Sequence, residues 1–351
     1  MDKFGLLPRA MFDTFHAAAQ ARSVMIATKL GIFDLLSEAP KSTRQIASAT
    51  STDERALEKL LQVLLAGKYL RLRRGKWELR SHVRRWVVRS SRSSIADQLL
   101  HGFVQWDAIE NFEQFIRTGK PRELHDRLTP KDWPAYMRGM KCIARLAVGE
   151  VVSRTRLPHN PRRMLDIGGS HGLYSTSFCR QYPTLQAEIL DLPVAVQYAT
   201  PLLEEDAMGS RVTFRPGDAL TDSLGDREWD FIFVSQLLHH FTAEMNQALC
   251  ERIARALKPG GVFAILEVER RADHKAGQIG SILDLYFAAS SRSGTWSVAE
   301  MQSWQARTGM IIGTPIRLWA VPGIVIVRAE VPPVGLLDQE SPAIARQLTP
   351  C

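Results

Sequence analysis

Long apolar runs are missing from this chain of 351 residues, and none reaches the ~18 residues of a membrane-spanning helix, so no membrane partner is expected. The N-terminus carries an acid and broken apolar groups where a signal peptide would stand, and a cytoplasmic protein is expected. Cysteine is scarce too. Cys142, Cys179, Cys250 and Cys351 form no close pair, which argues against a zinc site or a disulfide framework and leaves them as reduced core filler, with no metal expected. Excess positive charge is confined to one place. Between Arg71 and Arg92, nine Lys or Arg stand against the single acid Glu78, which accounts for the whole chain's formal +8 and leaves the remainder neutral. Such a local strip lacks the all-round positive field of a protein that tracks DNA, so no specific nucleic-acid partner is expected.

What is present is enough for two buried cores, with 45% hydrophobic residues. The chain is organised around Met164–Ser175, where an apolar run ends in an acid and a glycine-rich turn opens onto a helix. Gly168, Gly169 and Gly172 permit positive φ and let a ligand approach the main chain, while the new helix offers free N–H groups. A dinucleotide fingerprint needs glycines at the first, third and sixth places, and Ser170 with Leu173, or His171 with Tyr174, break it. A phosphate loop needs Lys-Ser or Lys-Thr after its last glycine, where Leu173-Tyr174 stands. A tight turn without a ligand is the plain alternative.

Upstream, residues 4–30 read as amphipathic helix through Phe4, Leu7, Met11, Phe15, Val24 and Leu30, and so much apolar surface at a terminus needs a partner. Ser42 caps a second segment, a helix follows from about Asp53 to Ala66, and two alternating strands flank Arg74-Gly75-Lys76. Helices followed by a hairpin are the order of a winged helix. The helix Glu54–Leu65 mixes charge signs, with only Arg55 and Lys59 able to face phosphate, so the module reads as an assembly surface rather than a DNA reader. From Ile95 to about Val152 further helices follow, and Phe103, Trp106, Tyr136, Met137 and Met140 are candidate walls of an acceptor pocket or ordinary core.

From Arg163 strands alternate with helices, the mark of an α/β fold with a mostly parallel sheet. The strands end near Asp166, Asp191, Asp218, His239 and Glu267, all expected on the carboxyl rim where open α/β sheets bind ligands. Segments beginning at Gly309 and Gly323 read as an antiparallel closing hairpin, and the chain after Pro332 as a loose tail.

With these residues located, the pattern Asp-x-Gly-Gly-x-x-Gly resembles the first motif of class I S-adenosylmethionine-dependent methyltransferases. Asp166-Ile-Gly-Gly-Ser-His-Gly, Leu190-Asp-Leu-Pro, Gly217-Asp-Ala, Leu237-Leu-His-His-Phe, Leu257-Lys-Pro-Gly-Gly and Leu266-Glu stand in the order of the caffeate and hydroxyindole O-methyltransferase family. The likeness covers nearly the whole chain, since Gly31-Ile-Phe-Asp-Leu-Leu and the winged helix resemble that family's N-terminal dimerisation domain. It implies a Rossmann-like methyltransferase sheet behind that dimerisation domain. The expected division is residues 1–95 for the winged-helix domain, 96–155 for a helical acceptor-pocket region, 156–331 for the cofactor domain and 332–351 for the tail.

The resemblance implies S-adenosyl-L-methionine as cofactor, a small aromatic hydroxyl compound as acceptor, and a homodimer as the assembly. Asp166, Gly168, Gly169 and Gly172 would hold the cofactor's methionine end, with Asp191 and Leu192 at the ribose hydroxyls, Asp218 and Ala219 at the adenine, and Ser235 and Gln236 lining the site. His239 would be the general base and Glu267 its orienting carboxylate, with a salt bridge to Arg270 or Arg271 as the alternative for Glu267. Adjacent residues on a turn point differently, so only His239, not His240, is expected to serve the acceptor. Two departures stand out: Thr295 where the plant enzymes have a second flanking glutamate, and Ser235 where they have a lysine. Bacterial-type natural-product tailoring is the nearer comparison. Transfer to carbon or nitrogen, use of the cofactor as a charge only, and a winged-helix regulator are the alternatives.

Overall fold

The strand Trp229–Ser235 shows why the sheet forms: its apolar residues run almost without interruption because both faces are covered. Ile232 and Val234 enter one core with Leu165, Ile167, Phe263 and Ile265, while Phe231 and Phe233 enter the opposite core with Met164, Val262 and Ala264. Alternate residues thus feed opposite layers, as the two-residue strand period requires. Each fully buried Phe here contributes roughly 1.5–3 kcal/mol through apolar burial.

The computed structural model describes residues 8–271 and 278–333. They divide into two compact units, one of residues up to Trp106 together with Arg138–Ile143, the other of Asp107–Met137 and the chain from Ala144. Phe4, Leu7, Cys351 and most of the expected tail lie outside the described residues.

In the first unit the expected helix through residue 30 is interrupted. A π turn at Phe12–His16 precedes the helix Ala17–Lys29, with a break at Thr14 (φ −110°, ψ −108°). The Thr14 hydroxyl donates to the Ala10 carbonyl at 2.7 Å, the side-chain competition by which threonine bends a helix. Met11 and Phe15 stay 47% and 75% exposed, leaving apolar surface uncovered in the single chain. Ser42 and Gln45 form a reciprocal capping box for Thr43–Thr50, and Asp53 caps Glu54–Ala66. Strands β1 (Leu70–Arg73) and β2 (Lys76–Leu79) pair antiparallel. Arg74 and Gly75 both take positive φ, the backbone a two-residue hairpin needs. Within the basic strip Arg71 pairs with Glu78, Arg89 with Asp34, and Arg84 donates to the Ser37 carbonyl. Arg80 also donates to the Leu70 carbonyl at 3.1 Å, so at least four of the nine cations are tied locally.

In the second unit β3 (Arg163–Ile167), β4 (Gln186–Asp191), β5 (Val212–Pro216), β6 (Trp229–Ser235), β7 (Leu257–Val268), β8 (Ile311–Ile312), β9 (Ile316–Arg317) and β10 (Ile324–Glu330) build one sheet. The order is β5-β4-β3-β6-β7-β10-β8, with β9 also on β10; β3 to β7 are parallel and β10 antiparallel. The closing hairpin is present, but its first arm is two short pieces. From β3 the chain winds outward through β4 and β5, then resumes at β6 on the other side. The β3/β6 boundary is therefore the switch point, where the turns leaving both strands flank one crevice.

Candidate active site

The turn after β3 is held at that switch point. Gly168 (φ +68°) donates its N–H to the Leu190 carbonyl at 2.8 Å, and a Cβ there would meet Leu237, in the turn after β6, at 3.0 Å. Gly169 does not use positive φ, contrary to expectation; it is Ser170 that turns left-handed (φ 46°). Glycine is required at 169 for space, because a Cβ would lie 2.5 Å from the Asp166 carboxyl carbon. Gly172 (φ 71°) starts the helix Leu173–Gln181. Asp166 is fully buried beneath the turn, accepting from the Ser175 hydroxyl at 2.6 Å, and burial pushes its carboxyl up to about 7. Its other oxygen has no hydrogen-bond partner. A buried, unpartnered carboxylate oxygen under an open glycine turn fits a ligand that brings N–H donors.

Asp191 closes β4. Its two oxygens accept the Ser170 and Leu192 N–H groups, each at 2.8 Å, so this carboxylate ties the glycine turn to the start of the helix Pro193–Glu204. Burial pushes it up to about 6, with those two hydrogen bonds opposing. Each oxygen keeps acceptor capacity, which suits a diol. Leu192 is 44% exposed beside it. Asp218 caps its own loop, accepting from Leu220 at 2.8 Å, while Asp222, which sequence reasoning missed, accepts the Asp218 N–H at 2.9 Å. The Ala219 carbonyl accepts from Arg252. Ser235 ends β6, and Gln236 (φ 52°) donates its N–H to the Leu266 carbonyl at 2.8 Å, keeping this turn against β7.

A short 3-10 turn, Leu238–His240, carries the histidines. His239 Nδ1 lies 3.2 Å from Glu267 Oε2, and Glu267 Oε1 accepts the Leu238 N–H at 2.8 Å. The two side chains are 4% and 1% exposed, so the pair is dry and its geometry fixed. Arg270 instead pairs with Glu300, so the salt-bridge alternative for Glu267 is not realised there. Phe287 stacks on the imidazole with ring centroids 3.8 Å apart, and the Ser291 hydroxyl donates to the His239 carbonyl. With Nδ1 toward a carboxylate, Nε2 is the nitrogen left to accept a proton.

Further groups gather here that no spacing in the sequence announces. His240 lies 4.3 Å from His239 and 4.8 Å from His125, between ring centroids. His125 Nε2 is 2.9 Å from the Tyr136 hydroxyl, and its ring stacks on Trp133, which stacks on Tyr198. Burial and the neighbouring His239 lower His125 to about 4; burial, His239, His125 and Arg292 hold His240 well below the usual imidazole range. Both are therefore neutral near pH 7. Met137 meets the Ser170 hydroxyl through sulfur. Of the expected pocket walls, Tyr136 and Met137 thus touch site residues, whereas Phe103 and Trp106 pack on the guanidinium of Arg22 at 4.4 and 5.3 Å. Buried Thr295 donates its N–H and hydroxyl to Asp284, on the helix Gln278–Ser290.

Residues 121–308 match the O-methyltransferase domain model and residues 12–84 the O-methyltransferase dimerisation domain. The first match covers more than half of the chain, and the chain belongs to the O-methyltransferase family, a group of S-adenosylmethionine-dependent enzymes. It is 25% identical over 294 residues to an L-tyrosine C(3)-methyltransferase of Streptomyces lavendulae, covering 78% of this chain and 79% of the relative. A human protein described as a probable bifunctional dTTP/UTP pyrophosphatase/methyltransferase is 24% identical over 293 residues, 77% of this chain but 46% of that longer protein. The structure of human N-acetylserotonin methyltransferase in complex with S-adenosylmethionine superposes with TM-score 0.81 at 19% identity, covering 93% of this chain and 99% of that one, a likeness of fold. Among the described residues no helix is long and apolar enough to cross a membrane, and no cluster of three or more potential metal ligands occurs.

Proposed function

We propose that this enzyme methylates a hydroxyl of a small aromatic acceptor, with His239 as general base. The observation that carries the reading is the buried His239–Glu267 pair, 3.2 Å apart, on the turn that also packs against Gly168. Bound S-adenosylmethionine supplies an electrophilic methyl, whose carbon–sulfur bond breaks with its electron pair leaving on sulfur as the acceptor oxygen bonds to carbon. Asp191 and the 168–172 turn hold that cofactor, with Asp166 beneath. Asp218, Ala219, Ser235 and Gln236 complete its rim.

The protein's own work is alignment and proton removal. A phenol of pKa ~10 is a weak nucleophile at neutral pH, and Nε2 of His239 takes its proton as transfer proceeds. Glu267 keeps the other nitrogen protonated and stabilises the imidazolium that forms. Flat rings at Trp133, Tyr136, Tyr198 and Phe287 suit a planar acceptor, and such contacts add about 0.5–1.5 kcal/mol each beyond area burial. The name of the Streptomyces relative makes transfer to carbon the second reading. Cofactor labelled with ¹³C on the methyl separates them: O-transfer puts the label in a methoxy carbon, and a new carbon–carbon bond in the product would remove the hydroxyl base from the account.

The dimerisation-domain match and exposed Met11 and Phe15 support a homodimer. Light scattering at micromolar concentration should give about twice the chain mass of 39.4 kDa. A single-chain mass there contradicts it.

A further inference from the structure

The two consecutive histidines do not diverge as neighbours on an extended segment would. The 3-10 turn brings their rings to 4.3 Å at an interplanar angle of 46°. The His239 ring is held by Glu267 and Phe287. On the far side His240 meets His125, itself fixed by the Tyr136 hydroxyl and the Trp133 face. Yet neither nitrogen of half-buried His240 has a hydrogen-bond partner among the described residues, unlike His239 Nδ1 and His125 Nε2. A neutral imidazole carries one donor and one acceptor, and neither His240 nitrogen is among the buried unsatisfied atoms, so both stay available to a ligand.

We propose that His240 is a second acceptor-binding group, and that with His239 it holds two oxygens on neighbouring carbons of the acceptor ring. This rests on the aromatic-hydroxyl reading above and narrows it: the acceptor carries a hydroxyl or carbonyl beside the hydroxyl that is methylated. Two such oxygens lie closer together than the 4.3 Å between the two ring centroids, a spacing that two neighbouring imidazoles can serve together. His239 removes the proton from one oxygen. His240 donates to or accepts from the other, and does no proton chemistry. This goes beyond the expectation that only His239 serves the acceptor.

The test compares 2,3-dihydroxynaphthalene with 2-naphthol, using the full-length protein saturated with S-adenosylhomocysteine, by calorimetry. Wild type should bind the diol about tenfold more tightly, the worth of one added hydrogen bond. His240→Phe, which keeps a flat ring, should bring the diol down to the affinity of 2-naphthol, and His240→Gln, which keeps a donor and an acceptor, should restore part of the preference. Turnover of the diol by His240→Phe should show the loss in KM rather than kcat. Unaltered S-adenosylhomocysteine binding reports that each variant is folded. If wild type binds both compounds equally, or the diol preference survives in His240→Phe, His240 only packs between its neighbours and the proposal is wrong, while the aromatic-hydroxyl reading stands. If neither compound binds at millimolar concentration, that reading is overturned and this one with it.

Discussion

His239→Ala should lower turnover by ~10²–10⁴, the usual worth of a positioned general base, while leaving affinity for S-adenosylmethionine nearly intact. The separation is expected because the imidazole meets Glu267 and Phe287, whereas the 168–172 turn is held by Asp191 and the Leu190 carbonyl. Raising the pH should partly restore the variant, since bulk hydroxide can then ionise a phenol before it binds. Glu267→Gln should cost less, because the imidazole remains and only its orientation loosens. That variant also disturbs the hydrogen bond to the Leu238 N–H, so some loss of stability should accompany it. Single-turnover kinetics with saturating cofactor give the comparison directly. Full turnover by His239→Ala on a hydroxyl acceptor would show that alignment alone drives transfer.

Asp191→Ala should weaken cofactor binding by roughly a hundredfold or more. Hydrogen bonds to a charged group are worth about 1.5–3 kcal/mol each, and the truncation removes such a group from two main-chain donors as well as from the ligand. Ser170 and Leu192 would lose the acceptor that pins the turn, so the site would loosen even before a ligand arrives. Asp191→Asn keeps the shape but must set an amide nitrogen against one of these donors, and should fall between alanine and wild type. Because burial lifts the carboxyl to about 6, the charged form is lost as pH falls through that value, and wild-type affinity should decline below it. Calorimetric titration with S-adenosylhomocysteine at several pH values measures both effects. Wild-type affinity in Asp191→Ala would move the ribose site elsewhere.

The glycine turn was readable because its demands are local. Positive φ at Gly168 and Gly172, and the helix that follows, concern a dozen consecutive residues, and the strand period that feeds two cores is likewise written in adjacent positions. Gly169 was misassigned among those demands, since the carboxylate that excludes a Cβ there belongs to the folded turn and not to its backbone angles. The break at Thr14 escaped for a related reason: a hydroxyl bond to Ala10 overrides a pattern that otherwise reads as helix.

The order of motifs on alternating strands and helices by itself determined a sheet with its acids and His239 at the carboxyl rim, because parallel strands must all return through crossovers and end on one side. Only the tertiary structure decided which rim residues meet. Glu267 reaches His239 because β6 and β7 are adjacent and in register to Ser235 and Leu266. His125 comes from the short 3-10 turn His125–Arg127 and Trp133 and Tyr136 from the start of the helix beyond it, and no spacing relates them to His240. Side chains distant along the chain carry no shared period, so their convergence is a property of packing, where burial and neighbouring imidazoles keep His125 and His240 uncharged.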